Sequence, residues 1–151
     1  MWDPSGSLHF PATLNPWCRQ KLGWVEPTVI TSSGRYELVT AQLVGDVLSY
    51  RIDLSPQEYL LIENRQKLKL DEILPGNGGL LIWHIDDNFG QTWMTTPGWP
   101  LQEGWPGNGN HYSVALLSPD GSYDMELGSN FGDGDDFWTS GKSLEPGPGL
   151  E

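Results

Sequence analysis

The segment 58–87 constrains the fold of this chain more than any other part of the sequence, because two apolar runs flank a glycine-rich turn there. Residues 80–85 are apolar at nearly every position, which is typical of a strand that is covered on both faces of a sheet. The turn LPGNGG at 74–79 leads into this strand and not into a helix, so it is no phosphate-binding loop. The segment therefore predicts a strand, a glycine turn and a buried central strand.

The rest of the chain adds one short helix and several strands. Asn15 followed by Pro16 is typical of a helix start, and Gly23 is typical of a helix end. From Trp24 onward, apolar runs separated by turn residues predict strands at residues 28–31, 36–42, 47–54, 59–63, 79–86 and 112–117. We therefore expect a mainly β fold, an antiparallel sheet or sandwich with one short N-terminal helix and long loops rich in Gly, Pro and Trp.

The composition fits one domain of this kind. A chain of 151 residues is as long as a typical single domain. Its 19 Gly and 12 Pro favour many turns over long helices, and its 8 Trp, 5 Tyr and 4 Phe supply large apolar side chains for a core. We expect residues 1–139 to form a single β-rich domain and residues 140–151 to form a linker-like tail.

Charge and cysteine content exclude several classes of function. The net charge of -12 argues against a nucleic-acid partner, because phosphate neutralisation needs Lys and Arg. No apolar stretch is long enough to cross a membrane, and the first residues lack the basic start and apolar run of a signal peptide. Cys18 is the only cysteine, so an intrachain disulfide and a thiolate zinc site are excluded.

No catalytic motif of the HExxH, GxSxG or P-loop type occurs in this chain, which leaves its status as an enzyme open. His84 and Asp86 share one strand face, and together with His111 they could form a zinc site. A buried histidine that is hydrogen-bonded to a neighbour is the favoured interpretation. Glu63 and Arg65 likewise share a face at period two. For them, a structural ion pair that ties the strand end to the next loop is favoured over contact with a substrate.

Several parts of the chain together resemble one protein family. EYLLIENRQ at 58–66, followed by LPGNGGLLIWHIDD at 74–87, is similar to the segment downstream of the zinc site in the M6 (immune inhibitor A-like) metallopeptidases. LNPWCRQKLGW at 14–24 resembles the stretch by which that family leaves its catalytic helices, and HYSVALLSPDG and GDGDDFW fit its later order. The resemblance covers most of residues 11–138.

The resemblance implies a secreted or surface zinc endopeptidase of which this chain is a non-catalytic module. Its partners would be the catalytic domain of that protein and a polypeptide substrate. The family's HExxH zinc helix has no counterpart in this chain, so zinc is expected only in the missing catalytic part and no catalytic residue is carried over. HYSVALLSPDG departs from the family's usual pattern, which has an acidic residue earlier and often Gln-Ala before Asp-Gly.

A group of carboxylates near the end of the chain is the strongest candidate for a cation site. Asp133, Asp135 and Asp136 stand among glycines that let the backbone curl, which suits a hard cation with many oxygen ligands such as calcium. Asp120 and Asp124 are near enough in sequence to complete the shell, and acidic loops in the M6 family are consistent with calcium. A solvated acidic turn is the alternative.

Three tryptophans, Trp93, Trp99 and Trp105, lie in one long loop rich in Gly and Pro. Aromatic side chains can pin such a loop onto the core, which is the favoured interpretation. Exposed rings can instead stack on sugars, as in carbohydrate-binding modules. The leading function is therefore a calcium-stabilised, non-catalytic β-module of a secreted metallopeptidase, and the alternative is a carbohydrate-binding β-module.

Overall fold

A computed structural model describes residues 13–41, 48–88, 112–125, 127–130 and 132–144. Within these residues the regular elements are a helix, five strands and two short 3-10 turns. Their bounds are Pro16–Lys21 for α1, Thr28–Val29 for β1, Tyr50–Asp53 for β2, Glu58–Arg65 for β3, Gly79–Asp86 for β4 and Val114–Leu116 for β5, with 3-10 turns at Lys69–Asp71 and Gly134–Asp136. None of the described helices has the length and apolar character needed to cross a membrane.

Helix α1 begins where the sequence predicts. Asn15 is its N-cap, and the Asn15 side-chain oxygen accepts a hydrogen bond from the backbone N–H of Cys18 over 2.8 Å. Pro16 stands in the first turn, where its missing N–H leaves no helical hydrogen bond unmade. The helix ends at Lys21, and Gly23 follows with a φ of +72°, a left-handed conformation that glycine adopts without strain.

The five strands form one mixed sheet whose spatial order, β1-β2-β3-β4-β5, follows the order in the chain. β3 and β4 pair antiparallel along their full length, from Glu58 opposite Asp86 to Arg65 opposite Gly79. β2 and β5 continue the antiparallel pairing on either side of this hairpin. The nearly continuous apolar sequence of β4 thus belongs to an inner strand, as predicted.

Apolar side chains cover both faces of the sheet. On one face, the core is built around Leu60, Ile82 and Trp138. On the other face, Trp17 of α1 packs against a cluster that includes Leu61. We call this second side the helix face. Because side chains alternate along a strand, β3 presents every second residue to the helix face, namely Tyr59, Leu61, Glu63 and Arg65.

The described part of the segment 36–42, residues 36–41, forms no strand, contrary to the sequence prediction. In its described part, one isolated parallel bridge from Thr40 to Asn64 joins it to the sheet. Tyr36 and Val39 stay exposed although the Tyr36 ring contacts the ring of Tyr50, so the alternation of side chains in this segment does not bury an apolar face. The Asn64 side chain also donates to the carbonyl of Leu38 over 3.2 Å, which occupies an acceptor that strand pairing would use.

Other strand boundaries differ as well. β3 continues past Glu63 to Arg65, because both polar side chains are buried by partners that the local sequence does not reveal. The strands predicted at 28–31, 47–54 and 112–117 shorten to Thr28–Val29, Tyr50–Asp53 and Val114–Leu116 within the described residues. β1 pairs parallel with β2, so the sheet is not purely antiparallel, and the described strands form one sheet and not a sandwich.

Candidate functional site

Four charged side chains meet on the helix face, and all four are buried. Arg19 comes from α1, Glu63 and Arg65 come from β3, and Asp71 comes from the first 3-10 turn. Each of the four is 5% exposed or less. Two guanidinium groups balance two carboxylates, so the cluster carries no net charge. We call these four residues the buried charge network.

Short contacts connect the network from end to end. Arg19 Nη2 donates to Glu63 Oε2 over 2.6 Å, and Arg65 Nε lies 3.1 Å from the same oxygen. The second Glu63 oxygen accepts the indole N–H of Trp83 over 3.1 Å. Arg65 Nη1 donates to both carboxylate oxygens of Asp71, over 3.2 and 3.1 Å. Buried charges are tolerated when they are paired and hydrogen-bonded in this way, which explains how polar positions of β3 lie inside the protein.

The network also fixes the backbone that precedes α1. Asp71 Oδ1 accepts a hydrogen bond from the backbone N–H of Thr13 over 2.7 Å. Arg65 Nη2 donates to the carbonyl of Leu14 over 2.9 Å. The chain before the helix, the helix and the inner strands are therefore held together by polar contacts in addition to apolar packing.

Sequence reasoning paired Glu63 with Arg65 and missed the other two members of the network. Arg19 lies 44 positions from Glu63, so no local spacing relates them. The hint available in the sequence is that polar residues at period two occur in an otherwise apolar strand. Charged groups at such positions need buried partners, although the sequence does not say which ones.

A cleft of about 330 Å³ opens beside the network on the helix face. The sheet lines it with apolar side chains that include Leu81 and Trp83. The start of α1 contributes Cys18, and the region of the second 3-10 turn contributes Asp133 and Asp136. The cleft thus places two carboxylates and the single thiol next to an apolar surface.

The second 3-10 turn is closed by a capping box. The Asp133 carboxylate accepts a hydrogen bond from the backbone N–H of Asp135 over 2.8 Å, and the Asp136 carboxylate accepts one from the N–H of Asp133 over 2.7 Å. Burial raises the pKa of Asp136, and the nearby carboxylates of Asp133 and Asp120 raise it further against the hydrogen bonds that it accepts. Negative charge is therefore crowded at this turn.

Hydrogen bonds from the protein itself engage the carboxylates that the sequence predicts as calcium ligands. The Asn130 amide donates to Asp124 over 3.2 Å and to Asp133 over 3.0 Å, and Asp120 accepts from the Ser118 hydroxyl. Within the described residues, no group of three or more His, Cys, Asp or Glu stands close enough together to hold a metal ion. Calcium here stays a prediction, and a melting temperature that responds neither to EDTA nor to added Ca²⁺ would contradict it.

The candidate zinc residues His84 and Asp86 are both buried, on the face opposite the helix face. His84 Nε2 lies 3.6 Å from Glu58 Oε1, and Asp86 Oδ1 accepts a hydrogen bond from the backbone N–H of Asn88 over 2.9 Å. His111, the third candidate ligand, lies outside the described residues. So do the three candidate sugar-stacking residues, Trp93, Trp99 and Trp105. A zinc site and a glycan site therefore stay predictions.

Comparison with known proteins supplies no relative that would assign a role to these residues. No family model matches the chain, and neither a curated protein nor a solved structure matches it. The observations that bear on function are therefore the sequence motifs and the geometry of the network and the cleft.

Proposed function

We propose that this chain is the non-catalytic β part of a secreted, M6-like zinc metallopeptidase and supports the catalytic domain of that protein. The observation that carries the proposal is the ion pair between Arg19 and Glu63, which is 2.6 Å long and buried at both ends. Arg19 belongs to the LNPWCRQKLGW motif and Glu63 belongs to the EYLLIENRQ motif. Two of the motifs that carry the family resemblance thus meet in one buried contact.

The position of α1 indicates what this contact would do in the larger protein. In the M6-like family, the stretch similar to LNPWCRQKLGW is where the chain leaves the catalytic helices. In this chain, Arg19 fixes that stretch to the sheet, and Asp71 and Arg65 fix the two residues before Asn15. A chain that arrives from a catalytic domain would therefore enter a rigid unit and not a hinge, because the entry point is held by buried polar contacts. Such rigidity suits a supporting module.

The chemistry of the chain's own residues supports a non-catalytic role. No HExxH motif occurs in the sequence. In the network, the carboxylates of Glu63 and Asp71 each accept hydrogen bonds from guanidinium groups that lie within 3.2 Å. A general acid or base has to reach a substrate proton, and buried, paired carboxylates are not placed to do so. The network is better suited to hold elements together.

Zinc analysis combined with a casein-hydrolysis assay tests the proposal. We expect the purified 151-residue chain to bind no stoichiometric zinc and to hydrolyse no casein. We expect the product of the complete gene to do both, and a variant with both histidines of its zinc motif replaced by alanine to do neither. Stoichiometric zinc together with proteolysis in the 151-residue chain alone would overturn the proposal.

A further inference from the structure

The cleft on the helix face lies beside the contacts that fix α1 to the sheet, and its lining combines apolar and charged side chains. Leu81 and Trp83 of β4 and Leu116 of β5 line it from the side of the sheet. Leu14 and Cys18 line it from the side of the helix. Its volume of about 330 Å³ lies within the range of sites that enclose a small ligand or a few side chains. The apolar surface it offers is therefore large enough to hold a bulky side chain.

The charge inside the cleft is unbalanced. Arg65 lines it, but Glu63 and Asp71 neutralise this guanidinium within the buried charge network. Asp133 and Asp136 also line it. Within the described part of the chain, no ion pair joins either of these two carboxylates to a lysine or an arginine. The charge that a ligand would meet in the cleft is therefore negative.

The charges around Asp136 also indicate that the cleft is negatively charged. After burial, the charges that act on this carboxyl are those of Asp133 and Asp120, and both raise its pKa. Lys142 acts on Asp120 and does not line the cleft. A ligand that brings a cation would relieve this crowding, whereas an anionic ligand would add to it.

We propose that the cleft binds a polypeptide segment in which a bulky apolar side chain stands next to a lysine or an arginine. The apolar side chain packs on Trp83 and its neighbours, and the cation lies against Asp133 and Asp136. The choice of a polypeptide over a small organic amine rests on the proposed function, because a module beside a peptidase meets substrate polypeptide. The same charges disfavour acyl chains with acidic ends and acidic peptides.

Isothermal titration of the purified chain with short peptides tests the proposal. The peptides are acetyl-Gly-Phe-Lys-Gly-amide, its counterparts with Gln or Glu in place of Lys, and one with Ala in place of Phe. We expect the Phe-Lys peptide to bind at least ~10-fold more tightly than each of the other three. Phenylpropylamine is a further probe, and binding of this amine without binding of the peptide would contradict a polypeptide ligand.

The second 3-10 turn and its N-cap offer a matched pair of variants. Asp133→Asn removes one carboxylate from the cleft, and asparagine retains a side-chain oxygen that can cap the turn. Asp135→Asn removes the same charge from the same turn, but Asp135 is exposed and does not line the cleft. We expect the first variant to lose most of the ~10-fold preference for lysine and the second to keep it. Thermal melts of both variants report whether the turn still folds.

The single cysteine supplies a readout that needs no substitution. Cys18 lines the cleft, so a bound peptide shields its thiol from iodoacetamide. Burial raises the pKa of the Cys18 thiol, so the reaction is followed at mildly alkaline pH, where enough thiolate is present. We expect the Phe-Lys peptide to slow alkylation in proportion to occupancy and the Phe-Glu peptide to leave the rate unchanged.

Equal affinity for the Lys, Gln and Glu peptides would overturn the proposal, as would unchanged alkylation at a high concentration of the Phe-Lys peptide. Protection of Cys18 without any peptide would also overturn it. That protection would come from a second copy if sedimentation shows a dimer, or from residues 1–12 if their deletion speeds alkylation. These measurements need neither zinc nor proteolysis. A failure of peptide binding would therefore not contradict the proposed function. A parent protein without a zinc site would in turn not contradict a measured peptide affinity.

Discussion

Arg19 and Glu63 lie 44 positions apart in the sequence, yet the guanidinium group of Arg19 donates to the Glu63 carboxylate over 2.6 Å in the interior of the protein. The pair joins helix α1 to the inner strand β3. Because Glu63 also contacts Arg65, and Arg65 binds Asp71, one buried contact becomes a network that reaches the chain before the helix. The packing of α1 against β3 therefore depends on charged side chains that are each 5% exposed or less.

Glu63→Gln should destabilise the fold far more than a comparable change at an exposed pair. The substitution leaves two buried guanidinium groups with one carboxylate, and breaking a buried pair typically costs about 3–5 kcal/mol. Asp53→Asn is the control, because the Arg51–Asp53 pair has the same 2.6 Å distance but 23% and 49% exposed side chains. It should change the free energy of unfolding by no more than ~0.5–1 kcal/mol. Urea unfolding measures the free energy of unfolding of both variants. Similar losses of stability in the two variants would contradict a buried network.

Arg19→Lys should also destabilise the protein, although the charge is kept. Arg19 uses separate nitrogens to reach Glu63 and the carbonyl of Ala41, over 2.6 and 3.3 Å, and a single ammonium group cannot reproduce that fork. We expect a loss of roughly 1–3 kcal/mol in the free energy of unfolding. Lys21→Arg is the reverse change on the exposed side of α1 and should be almost neutral. If Arg19→Lys changes the free energy of unfolding as little as Lys21→Arg does, the forked geometry of Arg19 does not contribute to stability.

Gly76→Ala should cost more than Gly121→Ala. Both glycines have positive φ angles, +62° and +72°, so alanine strains both backbones to a similar degree. A Cβ at Gly76 would also lie 2.7 Å from the Cα of Gly134, whereas one at Gly121 meets no atom within 4 Å. The added clash should cost roughly 1–3 kcal/mol beyond the shared strain. Thermal or urea unfolding of the two variants checks the difference, and equal costs would show that the two turns do not pack closely.

Tyr59 should make stability fall at alkaline pH. Burial raises the pKa of Tyr59 to about 12, and the Asp87 carboxylate adds to the rise while Arg51 opposes it. The folded state keeps the proton more firmly than the unfolded state does. The contribution of Tyr59 is therefore complete below its ordinary pKa of 10.0 and is lost as the pH rises towards 12.

Tyr59→Phe isolates this effect, because phenylalanine keeps the ring and has no proton to lose. We expect urea midpoints of the wild type to fall more steeply above pH 10.0 than those of the variant. Parallel curves for the two proteins would show that the Tyr59 hydroxyl titrates alike in the folded and unfolded states. Lysine deprotonation affects both proteins equally and cancels in the comparison.

Local signals were sufficient for the parts of the fold that local chemistry determines. Asn15 and Pro16 predict the start of α1 because capping needs neighbouring residues only. The nearly continuous apolar run of β4 predicts an inner strand because a strand with apolar side chains on both faces needs cover on both sides of the sheet. Alternation alone does not predict the segment 36–42 correctly, because Tyr36 and Val39 stay exposed and the described part of the segment forms a single bridge to the sheet.

The candidate sites depend on contacts between distant residues, which sequence patterns do not contain. The pairing of Glu63 with Arg65 follows from period two, but the partners Arg19 and Asp71 follow only from the packing of α1 and the first 3-10 turn. The cleft likewise exists because separate segments surround one patch of the sheet. The acidic turn at Asp133 is visible in the sequence, whereas its use of backbone N–H groups is a property of the folded turn.

The reading frame upstream of the codon for Met1 in the parent gene gives the most direct test of the proposed function. We predict an in-frame HExxH motif there, placed so that its product is the zinc-binding helix of a catalytic domain that continues into the LNPWCRQKLGW stretch. A gene whose reading frame contains no such motif would contradict this prediction and would favour a free-standing binding module.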